Sequence, residues 1–415
     1  MKKHYQVIVV GGGQAGLAIS YCLKQKDIDH IIFDKGQVGD SWRLHRWDNF
    51  TLVTPNWQCE LPGYQYSGNH PKGFMNREQV YEFVKNYAKT FNPPLHNEVT
   101  VASVAKVGDL YEVQTSLGDF TAQELVVASG AFHRPLIPKV AEKLPTFVEN
   151  VHSSEYKNAE KLPPGEVMIV GSGQSGCQIA EDLHLEGRKV HLCVGNAPKS
   201  PRNYRGRDVV EWLDQMGYYE KAIETFPDPI AVRKKINHYV TGRDGGREID
   251  LRAFALEGMK LYGLFKDVQD GKIFFGDNLK EDLDKADASA QSIKDRIDEY
   301  ISSKNIEAPV EALYEAPWEP KEVTKSIDIE VSGITSVIWC IGFKSDFNWL
   351  KLPAFDETGY PRVYRGVSDI EGLYFLGFPW MHTWGSGRFS GITQDAWYLS
   401  EQIAERVLVE KKEAS

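Results

Sequence analysis

The residues of this chain best placed to do chemistry form a glycine-rich turn that follows an apolar, β-branched run at residues 6–10. The turn has the spacing Gly-x-Gly-x-x-Gly, with its glycines at Gly11, Gly13 and Gly16. Gly11 permits the tight turn, Gly13 lets the backbone approach a pyrophosphate, and Gly16 lets the next helix pack closely on the strand. The pyrophosphate would then face the free N–H groups and the positive end of that helix.

The elements that must position this turn are also visible in the sequence. Residues 17–23 have helical spacing, and a second apolar run at residues 30–33 ends in Asp34. Asp34 follows Gly16 by 18 residues and can accept hydrogen bonds from a ribose hydroxyl. A glycine-rich structural turn is the alternative, but strand, helix, second strand and terminal acid together predict a dinucleotide-binding βαβ unit.

The same pattern occurs a second time. An apolar run at residues 166–170 leads into Gly171, Gly173 and Gly176, followed by helix-like residues and a strand-like run at residues 189–194. The two glycine turns start 160 residues apart. Two nucleotide folds in one chain predict two nucleotides, with FAD in the N-terminal unit and a nicotinamide cofactor in the internal unit.

Composition limits the class of protein. With 415 residues the chain can bury two cores, and 42% hydrophobic residues are typical of a globular protein. A formal net charge of −10 argues against nucleic acid or an anionic membrane as the main partner. No segment approaches the roughly 18 apolar residues of a membrane helix. Five cysteines without a C-x-x-C pair fit a reduced compartment, and no signal-like region precedes the first strand, so we expect a cytoplasmic protein.

A long loop rich in aromatic residues and proline follows the second strand. It contains Gly-x-x-Trp-Arg at residues 39–43, Trp-Asp at 47–48, Leu-x-Thr-Pro at 52–55 and Cys-Glu-Leu-Pro at 59–62. Long ordered loops tend to be functional, and a cap over the core is the alternative. On these motifs the chain resembles class B flavin-dependent monooxygenases, which include flavin-containing monooxygenases, plant auxin-forming flavin enzymes and Baeyer–Villiger relatives. The likeness runs through the second glycine turn and returns near the C-terminus.

The resemblance implies a fold and a domain order. We expect an α/β protein with two Rossmann-type, three-layer, dinucleotide-binding domains. The FAD domain is discontinuous, at residues 1–160 and 335–415, and the NADPH domain is inserted at residues 161–334. A charged, amphipathic segment at residues 277–303 would be a helix that covers the cofactor domain or part of a homodimer contact.

The resemblance also implies a reaction. An FAD-dependent, NADPH-consuming monooxygenase would insert one oxygen atom from O₂ into a small organic substrate, by N-, S- or carbonyl oxygenation through a C4a-(hydro)peroxyflavin. Two alternatives stay open: an NADPH-dependent flavoprotein reductase or oxidase without oxygen transfer, and a nucleotide-sensing regulatory flavoprotein. The expected partners are a small-molecule substrate and O₂, and we expect no nucleic acid, membrane span or metal site.

Cofactor contacts carry over from the family motifs position by position. For FAD we expect Gly11, Gly13, Gln14, Ala15, Gly16, Asp34, Lys35, Ser41, Trp42, Arg43, Thr54, Val101, Ser129, Gly130, Gly377 and Gln394. For the nicotinamide cofactor we expect Gly171, Ser172, Gly173, Gln174, Ser175, Cys340 and Gly342. The final helix would direct its N-terminus at the flavin carbonyl that gains negative charge on reduction.

The candidates for catalysis are Asn56, Trp57 and His382. Flavin-containing monooxygenases carry an Asn in the matching loop, although the local sequence Thr-Pro-Asn is nearer to the auxin-forming branch. Aromatic bulk suits a pocket for a modest apolar substrate, with core packing as the alternative. The expected pocket walls are Trp57, His70, Trp380, His382 and Trp384. We expect His152 to tie an interdomain linker by a hydrogen bond rather than to act as a catalytic base.

A preference for NADPH over NADH follows from counting residues in the two units. The position that matches Asp34 in the second unit is Val194, so the acid that would accept an NADH 2′-hydroxyl is missing. Four basic residues follow within residues 199–207, and an arginine fork suits a phosphate. We therefore expect Arg202 and Arg205 to bind the 2′-phosphate of NADPH, with a solvated basic loop as the alternative.

Overall fold

Apolar, β-branched runs of the sequence form the central strands of two separate sheets in the computed structural model, which describes residues 3–413. The predicted FAD-domain segments 1–160 and 335–415 include four terminal residues that lie outside the described residues, namely Met1, Lys2, Ala414 and Ser415. Up to the second glycine turn the strands are β1 (Lys3–Val10), β2 (His30–Phe33), β3 (Glu60–Leu61), β4 (Tyr64–Gln65), β5 (Leu95–His96), β6 (Val101–Val107), β7 (Leu110–Thr115), β8 (Gly118–Val127), β9 (Arg134–Pro135) and β10 (Glu149–His152). The later strands are β11 (Glu166–Val170), β12 (Val190–Cys193), β13 (Asn203–Tyr204), β14 (Arg207–Asp208), β15 (Lys260–Tyr262), β16 (Phe265–Gln269), β17 (Lys272–Phe275), β18 (Ser326–Asp328), β19 (Ile334–Trp339), β20 (Phe343–Lys344), β21 (Val363–Tyr364), β22 (Val367–Ser368) and β23 (Leu373–Phe375).

Helices connect these strands and cover the sheets. The α-helices are α1 (Gln14–Gln25), α2 (Asp40–Arg43), α3 (Arg77–Phe91), α4 (Gln174–Leu185), α5 (Val209–Gln215), α6 (Pro229–Lys234), α7 (Leu251–Leu256), α8 (Leu279–Lys304) and α9 (Ile392–Glu413). Short 3-10 helices lie at Asn56–Gln58, Lys139–Lys143, Ala159–Lys161, Tyr218–Glu220, Ile223–Thr225 and Arg243–Gly245. α3 begins with a capping box, in which Asn76 and Gln79 exchange side-chain to backbone hydrogen bonds of 2.9 Å.

The first sheet has β1 at its centre. β1 pairs in parallel with β2 on one side and with β8 on the other. β2 continues outward to β5, and β8 continues to β23, β22 and β21. β8 also pairs with β7 in an antiparallel ribbon that includes β6. Because β23 comes from the C-terminal part of the chain and pairs with β8, the first domain is discontinuous, as predicted.

The second sheet has the order β10-β19-β11-β12-β15, with all its strands parallel. Successive residues of β11 face opposite layers, as the pleat of a strand requires. Val167 and Ile169 belong to the core on the side of α4, whereas Met168 and Val170 pack with the antiparallel strands β16, β17 and β18. Helices, a parallel sheet and antiparallel strands therefore form the three predicted layers.

The second sheet includes two strands, β10 and β19, that extend beyond the predicted inserted segment 161–334. β10 precedes this segment and β19 extends beyond it, yet both strands belong to the second sheet. β10 has only four residues, and its partner β19 lies far later in the chain. Local sequence therefore did not distinguish β10 from a linker.

The two chain crossings between the domains pair with each other. β9 lies in the first crossing and β20 in the second, with Pro135 opposite Phe343 in antiparallel register. Beside them, His152 Nε2 donates to the Gly342 carbonyl oxygen at 3.0 Å, and His152 Nδ1 lies 2.8 Å from Ser154 Oγ. His152 thus takes part in a hydrogen-bonded tie at this link, the role that the sequence favoured for it.

α8 is the helix predicted for residues 277–303. The buried apolar residues on one face are Leu283, Ala286, Ala290, Ile293, Ile297 and Ile301. The C-terminal half of this face packs on Trp212 of α5. α8 therefore covers the inserted domain within its own chain, as the first of the two interpretations stated. None of the helices within residues 3–413 is long and apolar enough to span a membrane.

Candidate active site

In the first glycine turn, the first and last glycines are packed against backbone and the middle glycine is open. Gly11 has a φ of +109°, and a Cβ there would lie 2.5 Å from the carbonyl oxygen of Ala128, directly after β8. A Cβ on Gly16 would lie 1.8 Å from the Gly11 carbonyl oxygen. At Gly13 a Cβ would meet no atom within 4 Å. The turn is therefore pressed against its own sheet and leaves free space where a pyrophosphate would approach the N-terminus of α1.

Asp34 follows β2 and lies beside this turn. Its Oδ2 accepts a hydrogen bond from the Gly12 N–H at 2.5 Å, and its Oδ1 accepts one from the Gly36 N–H at 2.7 Å. These two bonds fix the orientation of the carboxylate. Each carboxylate oxygen can accept a second hydrogen bond, so the hydroxyls of a ribose fit at this position.

The second glycine turn reproduces this geometry. Gly171 has a φ of +103°, and a Cβ there would lie 2.7 Å from the carbonyl oxygen of Cys340, directly after β19. A Cβ on Gly176 would lie 1.8 Å from the Gly171 carbonyl oxygen, and one on Gly173 would meet no atom within 4 Å. Cys340, predicted as a cofactor contact, supports the turn through its backbone.

Polar side chains of both turns hold distant loops in place. Ser172 Oγ accepts a hydrogen bond from a backbone N–H of the loop after β12 at 2.9 Å. Gln174 binds the backbone of Val240 through both its amide atoms, at 2.5 and 3.2 Å. At the equivalent place in the first turn, Gln14 donates to the Gly387 carbonyl at 2.9 Å. In each unit, the glutamine that opens the helix therefore anchors a loop beside the helix N-terminus.

Buried hydroxyl groups around the first turn have no hydrogen-bond partner within the described part of the chain. They belong to Ser129, which comes just after β8, and to Ser390 and Thr393, which flank the start of α9. Next to Ser129, a Cβ on Gly130 would meet no atom within 4 Å. Buried polar groups are rarely left unpaired. Unpaired hydroxyls around an open glycine turn therefore fit a polar ligand of the size and chemistry of FAD.

Asn56 is held in place with one amide oxygen unused. It is 4% exposed, its backbone N–H donates to the Gly73 carbonyl at 2.9 Å, and its Nδ2 donates to the His70 carbonyl at 2.9 Å. Its Oδ1 is buried and has no partner among the described residues. The oxygen is therefore fixed in position and free to accept a hydrogen bond.

The chain on either side of Asn56 contacts the inserted domain. Gln178 on α4 donates to the Thr51 carbonyl at 3.4 Å, and Arg202 donates to the Val53 carbonyl at 3.0 Å. Both donors follow the second glycine turn in the sequence. Asn56 therefore lies where the two nucleotide folds meet.

The predicted pocket residues fall into two groups. Trp57 is half-buried next to Asn56, and His70 is exposed on the loop segment that runs beside Asn56. The second group lies in the loop before α9 and comprises Trp380, His382 and Trp384. Trp380 packs in a small apolar cluster with Ile223 and Val232 of the inserted domain. The second group is therefore also a contact between the domains.

His382 has a buried ring nitrogen close to a carboxylate. Its Nδ1 has no hydrogen-bond partner in the part of the chain that the structure describes, and it lies 3.8 Å from a carboxylate oxygen of Glu224. Burial lowers the pKa of His382, and the positive charge of Arg365 acts in the same direction. A neutral imidazole is therefore favoured at neutral pH.

Comparison with known proteins gives the family. The family model described as pyridine nucleotide-disulphide oxidoreductase matches residues 8–228, more than half of the chain. The chain belongs to this family. An uncharacterized CzcO-like oxidoreductase of Geobacillus kaustophilus is 32% identical over 406 residues, with coverage of 97% of this chain and 99% of the relative.

Other relatives of this oxidoreductase carry more specific names. The probable indole-3-pyruvate monooxygenase YUCCA4 of Arabidopsis thaliana is 26% identical, over 96% of this chain and 90% of the relative. Among solved structures, a flavin-containing monooxygenase from Stenotrophomonas maltophilia has a TM-score of 0.68 at 18% identity, covering 98% and 99% of the two chains. A bacillithiol disulfide reductase from Staphylococcus aureus shares the fold, with a TM-score of 0.62 at 15% identity and coverage of 99% of both chains. The class B flavin monooxygenase family predicted from the sequence is confirmed, as is a flavin-dependent oxidoreductase that uses NAD(P)H.

Two further predicted cofactor residues of this flavin-dependent oxidoreductase, Trp42 and Gly377, connect segments of the first domain. Trp42 stacks on Phe389 at 5.7 Å, which joins the loop after β2 to the loop before α9. A Cβ on Gly377 would lie 2.8 Å from that of Ala15, so the returning segment touches the first turn. The predicted residues with exposed side chains are Lys35, Ser41, Arg43, Ser175 and Gln394. The half-buried ones are Thr54 and Val101, and Gly342 has open space around it and a φ of +92°.

Arg202 and Arg205 do not lie as a 2′-phosphate site requires. Arg202 is 1% exposed, and its guanidinium binds the carboxylate of Asp208 at 2.5 Å. Arg205 Nε donates to Asp298 at 2.8 Å, and its Nη1 donates to the Pro309 carbonyl at 2.9 Å. A phosphate could reach the Arg202 guanidinium only by displacing its partners, and at Arg205 it would compete with the carboxylate of Asp298. The structure therefore does not support the assignment of these two arginines.

Asp395 is a buried carboxyl group beside the loop before α9 that the sequence did not single out. It lies in the first turn of α9 and is 4% exposed, with its Oδ2 unpaired within residues 3–413. Burial raises the pKa of Asp395 to about 6, against the opposing effects of a hydrogen bond from Ser386 and the charge of Arg365. The local sequence held no signal for it, because the loop that contains Ser386 and packs on this carboxyl group precedes the helix and is not part of its periodicity.

Proposed function

We propose that this oxidoreductase is an FAD-dependent, NADPH-consuming monooxygenase that inserts one oxygen atom from O₂ into a small organic substrate. The position of Asn56 carries this proposal, because a buried amide with an unused oxygen lies where two folds with open glycine turns meet. The monooxygenase relatives named above support the same activity. When bound, FAD would accept hydride from NADPH and activate O₂.

The first domain has the groups that FAD requires. Asp34 would accept hydrogen bonds from the adenosine ribose, and the open space at Gly13 would admit the pyrophosphate at the N-terminus of α1. The hydroxyls of Ser129 and Thr393 would find their missing partners on the cofactor. The N-terminus of α9 would stabilise negative charge on a reduced ring.

Asn56 would act at the meeting point of the two cofactors. Its Oδ1 can accept a hydrogen bond from an N–H group of the cofactor or of the substrate, while His70 occupies its Nδ2. The bond would be stronger than in water because the surroundings are buried. We propose that Trp57 and His382 line the approach of the substrate and exclude water from it.

We propose NADPH rather than NADH because no acid follows β12. Val194 stands where the first unit has its acid, and a carboxylate there would repel a 2′-phosphate. Lys266 on β16 reaches this corner of the sheet: its Cε lies 3.2 Å from the place of a Cβ on Gly276. Two residues further, Asn278 donates to the Val194 carbonyl at 3.4 Å. We therefore assign the 2′-phosphate to Lys266 in place of the two arginines.

The bacillithiol enzyme shares the fold of this chain, so a disulfide-reductase reaction is a further alternative. Such a reaction needs a reactive thiol, and none of the five cysteines of this chain provides one. Four of the five cysteines are buried, and Cys340 is half-buried. Burial raises the pKa of all five thiols, that of Cys59 to about 12. A thiol with a raised pKa is a poor nucleophile at neutral pH. An oxidase and a nucleotide-sensing flavoprotein remain as alternatives.

Labelled oxygen separates these alternatives. Purified protein with FAD, NADPH and labelled O₂ is offered a panel of sulfides, amines and ketones, and product mass and peroxide are measured. We expect one labelled atom in each product molecule and less peroxide than NADPH consumed. Peroxide equal to NADPH with every substrate would favour an oxidase. Bound flavin that NADPH does not reduce anaerobically would favour a sensing role.

A variant of Asn56 sharpens the same experiment. Asn56→Ala should keep FAD bound and raise the fraction of NADPH that is lost as peroxide, because the unused amide oxygen is removed. Asn86→Ala, on the surface helix α3, is the matched control and should behave as the wild-type protein.

A further inference from the structure

Arg202 is a buried cation that connects the two domains. It lies in the inserted domain between β12 and β13, yet its Nη1 donates to the Val53 carbonyl of the first domain at 3.0 Å. Its Nη2 contacts Asp208 of its own domain at 2.5 Å. Its guanidinium carbon lies 4.6 Å from the centre of the Phe74 ring. One charged group thus holds a carboxylate of its own domain together with a carbonyl and an aromatic ring of the other.

The two partners in the first domain flank Asn56. Residues 51–57 and 70–76 run side by side, and we call them the Asn56 segment pair. Asn56 joins the two segments through its backbone N–H and its side chain, with hydrogen bonds of 2.9 Å each. Val53 lies in the first segment and Phe74 in the second. The arginine therefore contacts both segments at the same time.

Phe74 packs closely against two glycines of the inserted domain. A Cβ on Gly242 would lie 2.1 Å from the Leu52 carbonyl oxygen and 2.7 Å from the Phe74 ring. Gly246 has a φ of +97°, and a Cβ there would lie 2.8 Å from the same ring and 3.2 Å from Arg202 Cδ. The half-buried ring is thus contacted by the arginine and by two glycine backbones of the inserted domain. A shift of the inserted domain would therefore act directly on Phe74.

We propose that Arg202 is a positioning residue for Asn56, through which docking of the inserted domain sets the geometry of the active site. This inference rests on the monooxygenase function proposed above. Arg202 acts through Val53 and Phe74 and has no assigned contact with substrate or cofactor. A planar guanidinium can donate in two directions and stack on a ring at once, which a lysine ammonium cannot do.

Arg202→Lys tests the proposal by hydrogen exchange and mass spectrometry on the FAD-loaded protein. Because a hydrogen bond to a charged group is lost, exchange of the Asn56 and Trp57 amide hydrogens should become about tenfold faster. Exchange in β1 and β2 should stay the same. Arg205→Lys, in the turn between β13 and β14, is the matched control, since its guanidinium binds only residues of the inserted domain in the contacts described above.

The fraction of NADPH lost as peroxide distinguishes a positioning role of Arg202 from a merely structural one. Arg202→Lys should raise the fraction of NADPH lost as peroxide at least threefold, while the dissociation constant of NADP⁺ changes less than twofold, by about 0.4 kcal/mol or less. Phe74→Leu removes the ring contact of Arg202 from the other domain and should give a change in the same direction. The double variant should change the peroxide fraction by less than the sum of the two single variants, because both weaken the contact between Arg202 and Phe74.

Three outcomes would overturn the proposal. The first is unchanged exchange at Asn56 in both Arg202→Lys and Phe74→Leu. The second is equally faster exchange throughout the chain, which would show a general loss of stability. The third is weaker NADP⁺ binding with normal exchange, which would return Arg202 to a phosphate-binding role. If the wild-type protein transfers no oxygen, the monooxygenase function fails, and hydrogen exchange still decides whether Arg202 positions Asn56.

Discussion

The two nucleotide folds of this chain place their glycines with nearly the same geometry. A Cβ on Gly16 or on Gly176 would lie 1.8 Å from a carbonyl oxygen of its own turn, and both turns are open at the middle glycine. The folds differ at the end of the next strand, where Asp34 stands in the first and Val194 in the second. The shape of the turn is therefore a property of the backbone that both folds share. Which nucleotide each fold takes depends on side chains beyond it.

The largest expected effect comes from closing one turn at a time. Gly16→Ala places a Cβ against the Gly11 carbonyl oxygen and should prevent FAD binding. Gly176→Ala makes the same clash in the second turn, and should leave FAD bound but abolish its reduction by NADPH. Flavin absorbance after gel filtration and anaerobic reduction check both results, with dithionite as the control reductant. Loss of FAD from both variants would contradict the independence of the two folds.

Each domain also contains a carboxyl group with a displaced pKa, and the directions are opposite. Burial raises the pKa of Asp395 in the first domain to about 6. Burial also opposes ionisation of Glu166 in the second domain, but hydrogen bonds from His191 and Lys260 lower the pKa of Glu166 to about 2. Glu166 is therefore stabilised as a carboxylate, whereas Asp395 is stabilised as an acid.

These shifts predict opposite pH dependences for two variants of the FAD-free protein. Glu166 stabilises the fold above its ordinary pKa of 4.5, and this contribution is lost as the pH falls toward 2. Asp395 destabilises the fold increasingly as the pH rises from 3.8 to about 6. At pH 8 we expect Glu166→Gln to lower the free energy of unfolding, and Asp395→Asn to raise it, each by at most about 3 kcal/mol. Denaturant titrations at several pH values check this, and a difference for Asp395→Asn that persists unchanged at pH 4 would disagree with it.

A smaller effect is expected from Asp34, the acid that only the first fold has. Asp34→Ala should stay folded and lose FAD on dilution, because a charge-assisted hydrogen bond contributes about 1.5–3 kcal/mol. Flavin retained after dialysis and far-UV circular dichroism measure the two properties. Asp29→Ala, at an exposed position nearby, is the control. Full retention of FAD by Asp34→Ala would remove the ribose assignment.

The smallest effect is expected at the corresponding corner of the second fold. Lys266→Met should weaken NADP⁺ binding by roughly two- to fivefold, in keeping with about 0.5–1 kcal/mol for an exposed charge, and leave NAD⁺ binding unchanged. Titration calorimetry at low salt gives both constants, since salt screens exposed charges. Lys272→Met on the neighbouring strand is the matched control. Equal loss for the two nucleotides would contradict a 2′-phosphate contact.

Sequence alone was sufficient where structure depends on near neighbours in the chain. The order of strand, glycine turn and helix defines both nucleotide folds, since the first glycine of each turn meets the backbone just after a neighbouring strand and the last meets the carbonyl of its own turn. The period of the apolar residues predicted α8 and its buried face, including Leu283 and Ile297.

The remaining features depend on partners that are distant in the sequence. Arg202 was assigned to a phosphate because the spacing of basic residues does not show that Asp208 and Val53 take its guanidinium. Asp395 was not singled out because only the packed loop with Ser386 shows that its carboxyl group is buried. The unused oxygen of Asn56 depends on the fold, because the His70 carbonyl binds the amide nitrogen and thereby fixes which way the oxygen points.

The pairing of β9 with β20 has a consequence for the first sheet. β8 ends at Val127 and β23 begins at Leu373, yet the two strands are neighbours in this sheet. A loop of that length costs entropy to close, although the cost grows slowly with length. Because β9 and β20 hold the two ends of the inserted domain side by side, the folded insert spans no more distance than a hairpin. The host sheet could therefore have gained this domain as a single module, and an exchange for another module with adjacent ends would leave β8 beside β23.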